Sequence, residues 1–245
     1  NTLNEGDFYL DADAGCFIRA KKDTVVNAFT AYLPQSKVNE PVDALPIIHK
    51  TLDTSRYYRL SVNGCYLSVD ETGLTLSDDA EGSSTIFYYD ENLSLLSYRN
   101  SRYIEDEGFT VAGNLPVMSL FEIAASGVDK YNLCVDGKYF GVDDNAVLCS
   151  YSDVDEPVNA ENVEWSVEEV ECLPVSITTV GYATIYAGVA LEVPDGITAH
   201  TVVVDGDYAI LSDPLDIIPA GCGVLLVAEE ELDGTKVYDF IVTTT

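Results

Sequence analysis

Two histidines, six cysteines and a surplus of carboxylates are the side chains of this 245-residue chain whose chemistry could go beyond packing. His49 and His200 lie far apart, and none of Cys16, Cys65, Cys134, Cys149, Cys172 and Cys222 forms a C-x-x-C pair. The spacing of a structural zinc site is therefore missing. An even cysteine count permits three disulfides in an oxidising compartment. Most of the cysteines sit in apolar strand patterns such as "LCVDGKYF" and "GCGVLLV", where a buried thiol serves equally well. The "DADAG" from Asp11 to Gly15 has the opening of a calcium loop, but "CFIRA" stands where further oxygen ligands should follow, so it reads as a hairpin turn. "DETG", "VDDNA" and "DDAEG" read as solvated turns, with a weak cation site, for calcium, at one of them as the other reading. No G-x-S-x-G, H-E-x-x-H or phosphate-cradling glycine loop occurs. His200, inside "ITAHTVVV", reads as a structural strand residue. The expectation is a protein that is not an enzyme, with no catalytic, cofactor-binding or metal-ligating residue and no cofactor.

The charge balance excludes other classes. Forty-two acidic residues face 12 basic ones, a formal net charge of −30. Nucleic acid is excluded, because a phosphate backbone needs a basic footprint, and anionic membrane surfaces are disfavoured for the same reason. No run of about 18 apolar residues is present, so no membrane insertion is expected. Such a chain repels its own copies at low ionic strength, and salt or calcium would decide whether it assembles. Hydrophobic residues still make up 47%, enough to build cores. The length suits two domains or one large β domain. The start at Asn1, without an initiator Met or an apolar leader, is read as a processed or excised form.

The elements that must position any site are strands. Tyr, Val, Thr, Ile and Phe alternate with polar residues in short runs broken by Gly, Asn, Asp and Pro, and no stretch holds a helical period beyond two turns. Between about residues 57 and 170 the pattern repeats three times. The copies align on Tyr66, Tyr103 and Tyr139. Asn63-Gly64, Asn100-Ser101 and Asp136-Gly137 stand at one offset before them, as two-residue hairpin turns. Leu67, Ile104 and Phe140 follow the anchors, and aromatic strands around Phe87, Phe121 and Trp165 close the copies. These aromatics are expected to fill the core. Three copies of four short strands suggest a β-trefoil. "NGCYLSV" and "DGKYFGV" resemble the G-x-Y-L turns of fascin-like trefoil repeats. Ricin-type trefoils carry a Q-x-W in each repeat. This chain has one Trp, with Val163 two residues before it, so no sugar site of that family is carried over.

A different pattern starts near Val175. Several strands, a hairpin at Asp205-Gly206 and a last strand "VYDFIVTTT" indicate a β-sandwich. "GYATIYAGVALEVPDGITAHTV" and "IPAGCGVLL" are similar to C-terminal modules of secreted, multi-domain bacterial surface proteins. The resemblance implies a further hairpin and a strand ending in A-Y-L. The order of those features recurs at the start of the chain, as "FYL", "GCFIRA" and "AFTAYLP".

The segment "VVNAFTAYLP" is apolar on both faces, as in a strand covered on both sides. Val25, Val26, Ala28, Phe29, Ala31, Tyr32 and Leu33 are read as an assembly strand. The expected fold is all-β, a β-trefoil-like domain plus a β-sandwich completed by the N-terminal strands, either intramolecularly or from a neighbouring copy. The expected boundaries are 1–35 for the N-terminal strands, 36–55 for a linker, 56–172 for the trefoil-like domain and 173–245 for the sandwich. The linker is long enough, at up to roughly 65 Å, for either route. The expected function is a non-catalytic, extracellular, structural or adhesive protein of a bacterial surface, joining head to tail into filaments or arrays by strand donation. Its expected partners are copies of itself or tandem neighbour domains. The alternative is a carbohydrate- or host-protein-binding module of a larger secreted protein, with a glycan as partner.

Overall fold

The computed structural model describes residues 3–11, 16–25, 32–34, 44–46, 52–71, 73–102, 104, 118–124, 130–135, 137–154, 156–157 and 159–243. Apart from the short 3₁₀ segments Ser83–Thr85 and Ala160–Val163, every regular element among these residues is a β-strand, and the chain divides into two units, Asn1–Lys50 and Thr51–Thr245.

The first unit is a four-stranded antiparallel sheet in the order β3-β1-β2-β4, from β1 (Phe8–Asp11), β2 (Cys16–Arg19), β3 (Tyr32–Leu33) and β4 (Ala44–Pro46). Phe8 is buried, with the Arg19 guanidinium over its ring at 5.5 Å. β4 comes from the segment read as a linker. It pairs Ala44 with Ile18 and Pro46 with Cys16 at the rim of the sheet, where a missing N–H is tolerated. Three residues are too few to show a period, which hid this strand in the sequence.

The second unit opens with β5 (Arg56–Val62), β6 (Cys65–Val69), β7 (Leu74–Ser77), β8 (Phe87–Tyr89), β9 (Leu95–Ser97), β10 (Ser119–Ile123), β11 (Lys130–Val135), β12 (Lys138–Val142), β13 (Leu148–Tyr151) and β14 (Glu164–Glu169). Six of these form a nearly closed ring. β5 pairs β8, β8 pairs β9, β10 pairs β11, β11 pairs β14 and β14 returns to β5. The remaining link is narrower. Ser94 bridges Met118, and the Ser119 N–H donates to the Leu93 carbonyl at 2.7 Å. The repeat read from the sequence fills the ring in threes. Leu60, Leu95 and Leu133; Leu67, Ile104 and Phe140; and Phe87, Phe121 and Trp165 are all buried in one cluster. Trp165 satisfies its indole N–H on the Phe140 carbonyl at 2.8 Å.

The turns follow the expectation twice. Asn63 and Gly64 take positive φ of 50° and 82° between the paired Val62 and Cys65, as a type I′ hairpin requires. Gly137, at φ 80°, stands before Lys138, which pairs Val135. Asn100-Ser101 is different. Ser97 donates to the Arg102 carbonyl and accepts from the Ser101 N–H, so four residues are looped out instead of two. The wider loop turns Tyr98 out of the ring, with its N–H on the Ile86 carbonyl.

The rest of the unit comprises β15 (Cys172–Ile177), β16 (Tyr182–Tyr186), β17 (Ala190–Glu192), β18 (Ile197–His200), β19 (Val202–Asp205), β20 (Tyr208–Leu211), β21 (Ile217–Ile218), β22 (Gly223–Ala228) and β23 (Lys236–Thr243). They form two sheets, β15-β23-β17-β21 and β16-β22-β18, and a separate β19-β20 hairpin. Leu173, Ile177 and Phe240 of one sheet and Ile185, Val224 and Leu226 of the other belong to one buried cluster. The turn lies one residue beyond the Asp205-Gly206 reading. Asp205 pairs Tyr208, leaving Gly206 and Asp207 at the tip. Among the described residues no helix is long and apolar enough to cross a membrane.

Candidate functional site

Neighbouring side chains on a strand point to opposite faces, and β5 and β8 use both. Tyr58, Phe87 and Tyr89 point into the ring, while Tyr57, Ile86 and Tyr88 point away from it and join the core of the two-sheet part. Tyr57 and Tyr88 are cross-strand partners with ring centroids 4.9 Å apart, and Tyr98 meets Tyr57 edge-on at 5.7 Å. Cross-strand and edge-to-face geometry of this kind holds aromatic rings in fixed positions.

The three hydroxyls then hold backbone. The Gly188 N–H donates to the Tyr57 hydroxyl at 3.2 Å, Tyr88 donates to the Gly188 carbonyl at 3.3 Å, and Tyr98 donates to the Pro174 carbonyl at 3.2 Å. Gly188 is a steric requirement, because a Cβ there would overlap the end of the Tyr88 ring. Burial is the main cause that pushes the Tyr57 phenol up to about 12. The neighbouring Tyr88 and Tyr186 add to it, and the Gly188 hydrogen bond works the other way. Tyr98 is raised as well, by burial and then by Tyr57.

Beside these rings lies a cleft of about 520 Å³, lined by Tyr57, Tyr88, Tyr98 and Tyr186 together with Asp90, Leu96, Ser97, Ser101, Gly188, Ala220 and Gly221. Tyr186 stands at its mouth, 66% exposed on the outer side of β16. The Asp90 carboxylate accepts from the N–H groups of Asn92 and Ser94, each at 2.9 Å, and this fixes the turn into β9. The Ser97 hydroxyl is buried with no hydrogen-bond partner among the described residues. The volume lies within the range of small-molecule sites, and a largely apolar wall with few polar groups is their usual make-up. A second, more open cleft carries Glu81, Glu168, Glu169, Glu171 and Asp239 beside Arg59.

The residues singled out in the sequence are placed elsewhere. Val25 is 73% exposed, Tyr32 and Leu33 form β3 beside Tyr9 and Phe8, and Val26, Ala28, Phe29 and Ala31 lie outside the described residues. So do His49 and residues 12–15 of the "DADAG" turn. The acidic turns bind their own backbone. Gly73 donates to Asp70, Glu81 to Asp79, and Asn145 and Val147 both to Asp143. The last two bonds, that of Val147 first, hold the Asp143 carboxyl below its ordinary range. Among the described residues no three or more His, Cys, Asp or Glu side chains are grouped to hold a metal ion. Cys16, Cys65, Cys149, Cys172 and Cys222 are free thiols, each partly buried, and Cys134 is partly buried as well. His200 contacts the Ser212 carbonyl through Nδ1 at 2.8 Å and the Thr198 hydroxyl through Nε2 at 3.0 Å. A carbonyl only accepts, so Nδ1 donates to Ser212, and both ring nitrogens are held by neighbouring groups. The sequence reading missed the tyrosine cleft. Its signal was present in "RYYRL" and "FYY", where adjacent tyrosines put an aromatic on each face of a strand.

No family model matches the chain, and no curated protein matches it. Among solved structures it is similar to a ricin B-like lectin of Macrolepiota procera in complex with lactose. The identity is 10% over 49% of this chain and 100% of that chain, with a TM-score of 0.42.

Proposed function

We propose that the chain is a non-catalytic, carbohydrate-binding module of a larger secreted protein, a β-trefoil joined to a β-sandwich, which holds a neutral sugar against the tyrosine cleft. The observation that carries this reading is the pairing of fixed aromatic rings with an exposed one, Tyr186, around a cavity of about 520 Å³. A sugar ring offers C–H groups to an aromatic face and hydroxyls to polar neighbours, and tyrosine presents both kinds of surface. The net charge of −30 and the acidic cleft nearby disfavour sulfated or sialylated glycans. The trefoil reading rests on the ring of six strands and its core in threes. Calorimetry or a glycan array with neutral oligosaccharides tests the proposal. Saturable binding that Tyr186→Ala weakens about tenfold is expected, the upper end of one aromatic contact. Binding that ignores Tyr186→Ala, or no binding to any neutral glycan, would refute it.

A second reading is favoured by the open edges of the sandwich. Among the described residues β16 pairs with β22 and no other strand, and β15 with β23 and no other. Unpaired edges accept strands from other chains. Under this reading Val25 to Leu33 of a neighbouring copy fills such an edge, giving head-to-tail arrays at a bacterial surface. About five buried apolar side chains would contribute on the order of 8–12 kcal/mol of gross hydrophobic free energy. Removing residues 1–35 then abolishes assembly in light scattering. A truncated chain that assembles like the whole would sink the reading.

A further inference from the structure

Tyr186 shares the outer face of β16 with Thr184 and Tyr182, because Ala183 and Ile185 between them pack into the buried cluster. The two tyrosines are 66% and 55% exposed and stand four residues apart, about 13 Å along a strand. Their cross-strand partners on β22 are Gly223 for Tyr186, Leu225 for Thr184 and Val227 for Tyr182, and β18 adds His200 and Thr198 in the same register. No Asp, Glu, Lys or Arg stands on this face of the three strands. Gly223 leaves the flank of Tyr186 open, since a Cβ there would meet nothing.

The far end of this face opens into another concavity. A cleft of about 430 Å³ lies there, lined by Tyr182, Val227 and Gly181 together with Glu229, Glu230 and Glu231. One uncharged strip therefore joins two clefts, with an exposed tyrosine at each. We infer that the tyrosine cleft is one end of an extended site, whose ligand is a linear neutral oligosaccharide running along β16 from Tyr186 to Tyr182. The inference rests on the sugar reading of that cleft and extends it. The spacing of the two tyrosines exceeds a single sugar ring, so only a chain meets both. A straight strand matches a straight chain of the cellulose type, whose rings lie flat and turn C–H faces outward, whereas a chain of the maltose type coils away from it. The tyrosine rings take those faces, and the exposed carboxylates of Glu229 to Glu231 accept from sugar hydroxyls at the far end. A basic peptide would be drawn to the glutamates alone, because the strip carries no carboxylate.

Calorimetry of the full chain with cello-oligosaccharides, from the disaccharide to the hexasaccharide, tests this, with malto-oligosaccharides alongside. Affinity is expected to rise with length in the cello series and to stay flat in the malto series. Tyr182→Ala weakens the hexasaccharide about tenfold and leaves the disaccharide unchanged, whereas Tyr186→Ala weakens both. Tyr182 lies outside the cores, and an equal melting temperature shows that folding is intact. Affinity that is flat with length in the cello series overturns the extended site and leaves the cleft reading standing. So do equal losses of disaccharide and hexasaccharide with Tyr182→Ala, or a rise with length in the malto series alone. Binding of some other small neutral sugar that depends on Tyr186, with no cello-oligosaccharide bound, has the same consequence. No binding of any neutral sugar overturns both.

Discussion

Tyr88 reaches Gly188 across 100 positions of sequence, its hydroxyl donating to the Gly188 carbonyl at 3.3 Å. The ring occupies the space where any other residue would place a Cβ. Gly188→Ala should therefore force Tyr88 out of its place and cost about 1–3 kcal/mol, as overpacking does. Urea denaturation of the variant should show a lower midpoint. A stability equal to the parent would show that the two parts are not held together here.

Alkaline titration reads the same tyrosines. Burial raises Tyr57, Tyr58 and Tyr89 to about 12, so each folded value lies above the unfolded value of 10. The fold favours the neutral phenol. That contribution is complete below pH 10 and is lost as pH rises from 10 through 12. For Tyr57, only 5% exposed, it amounts to about 2–3 kcal/mol. The last phase of the phenolate absorbance should lie above pH 10 and coincide with loss of ellipticity. Complete ionisation of all 16 tyrosines with the ellipticity intact would contradict it.

Asp143 works in the opposite direction. The Val147 and Asn145 N–H groups favour its charged form and hold its pKa below the ordinary 3.8. Its support for the β12–β13 turn is present above that ordinary value and fades as pH falls through the lowered one. Asp143→Ala should lower the melting temperature slightly at neutral pH, and the gap should close in acid. A gap that persists below the carboxylate range would assign the effect to something other than these two bonds.

Trp165 is the single tryptophan, fully buried, with its N–H on the Phe140 carbonyl. Native fluorescence should be blue-shifted, and Trp165→Ala should cost about 3–5 kcal/mol, as large aromatic-to-small changes in a core do. Trp165→Phe should recover most of the packing but leave that carbonyl without its donor. Near-parental stability of the alanine variant would argue against its place at the centre of the ring.

The sequence by itself determined most of the strands and two of the triplets in the ring core. Leu67, Ile104 and Phe140 were legible because a period of two and a repeated turn residue are local properties. Asn63-Gly64 was legible because few residues adopt positive φ at both turn positions. β4 escaped for lack of length, and the four-residue loop before Arg102 escaped because Asn100-Ser101 mimics a two-residue turn. Only the tertiary structure decided the cleft. Tyr57 and Gly188 are 131 positions apart, and no local pattern states which outward tyrosine will be covered by another sheet and which will stay open to solvent. The side of a strand is set by its neighbours along the chain. What covers that side is set by contacts between distant segments, and Tyr57 and Tyr186, buried and exposed at one cleft, differ for that reason alone.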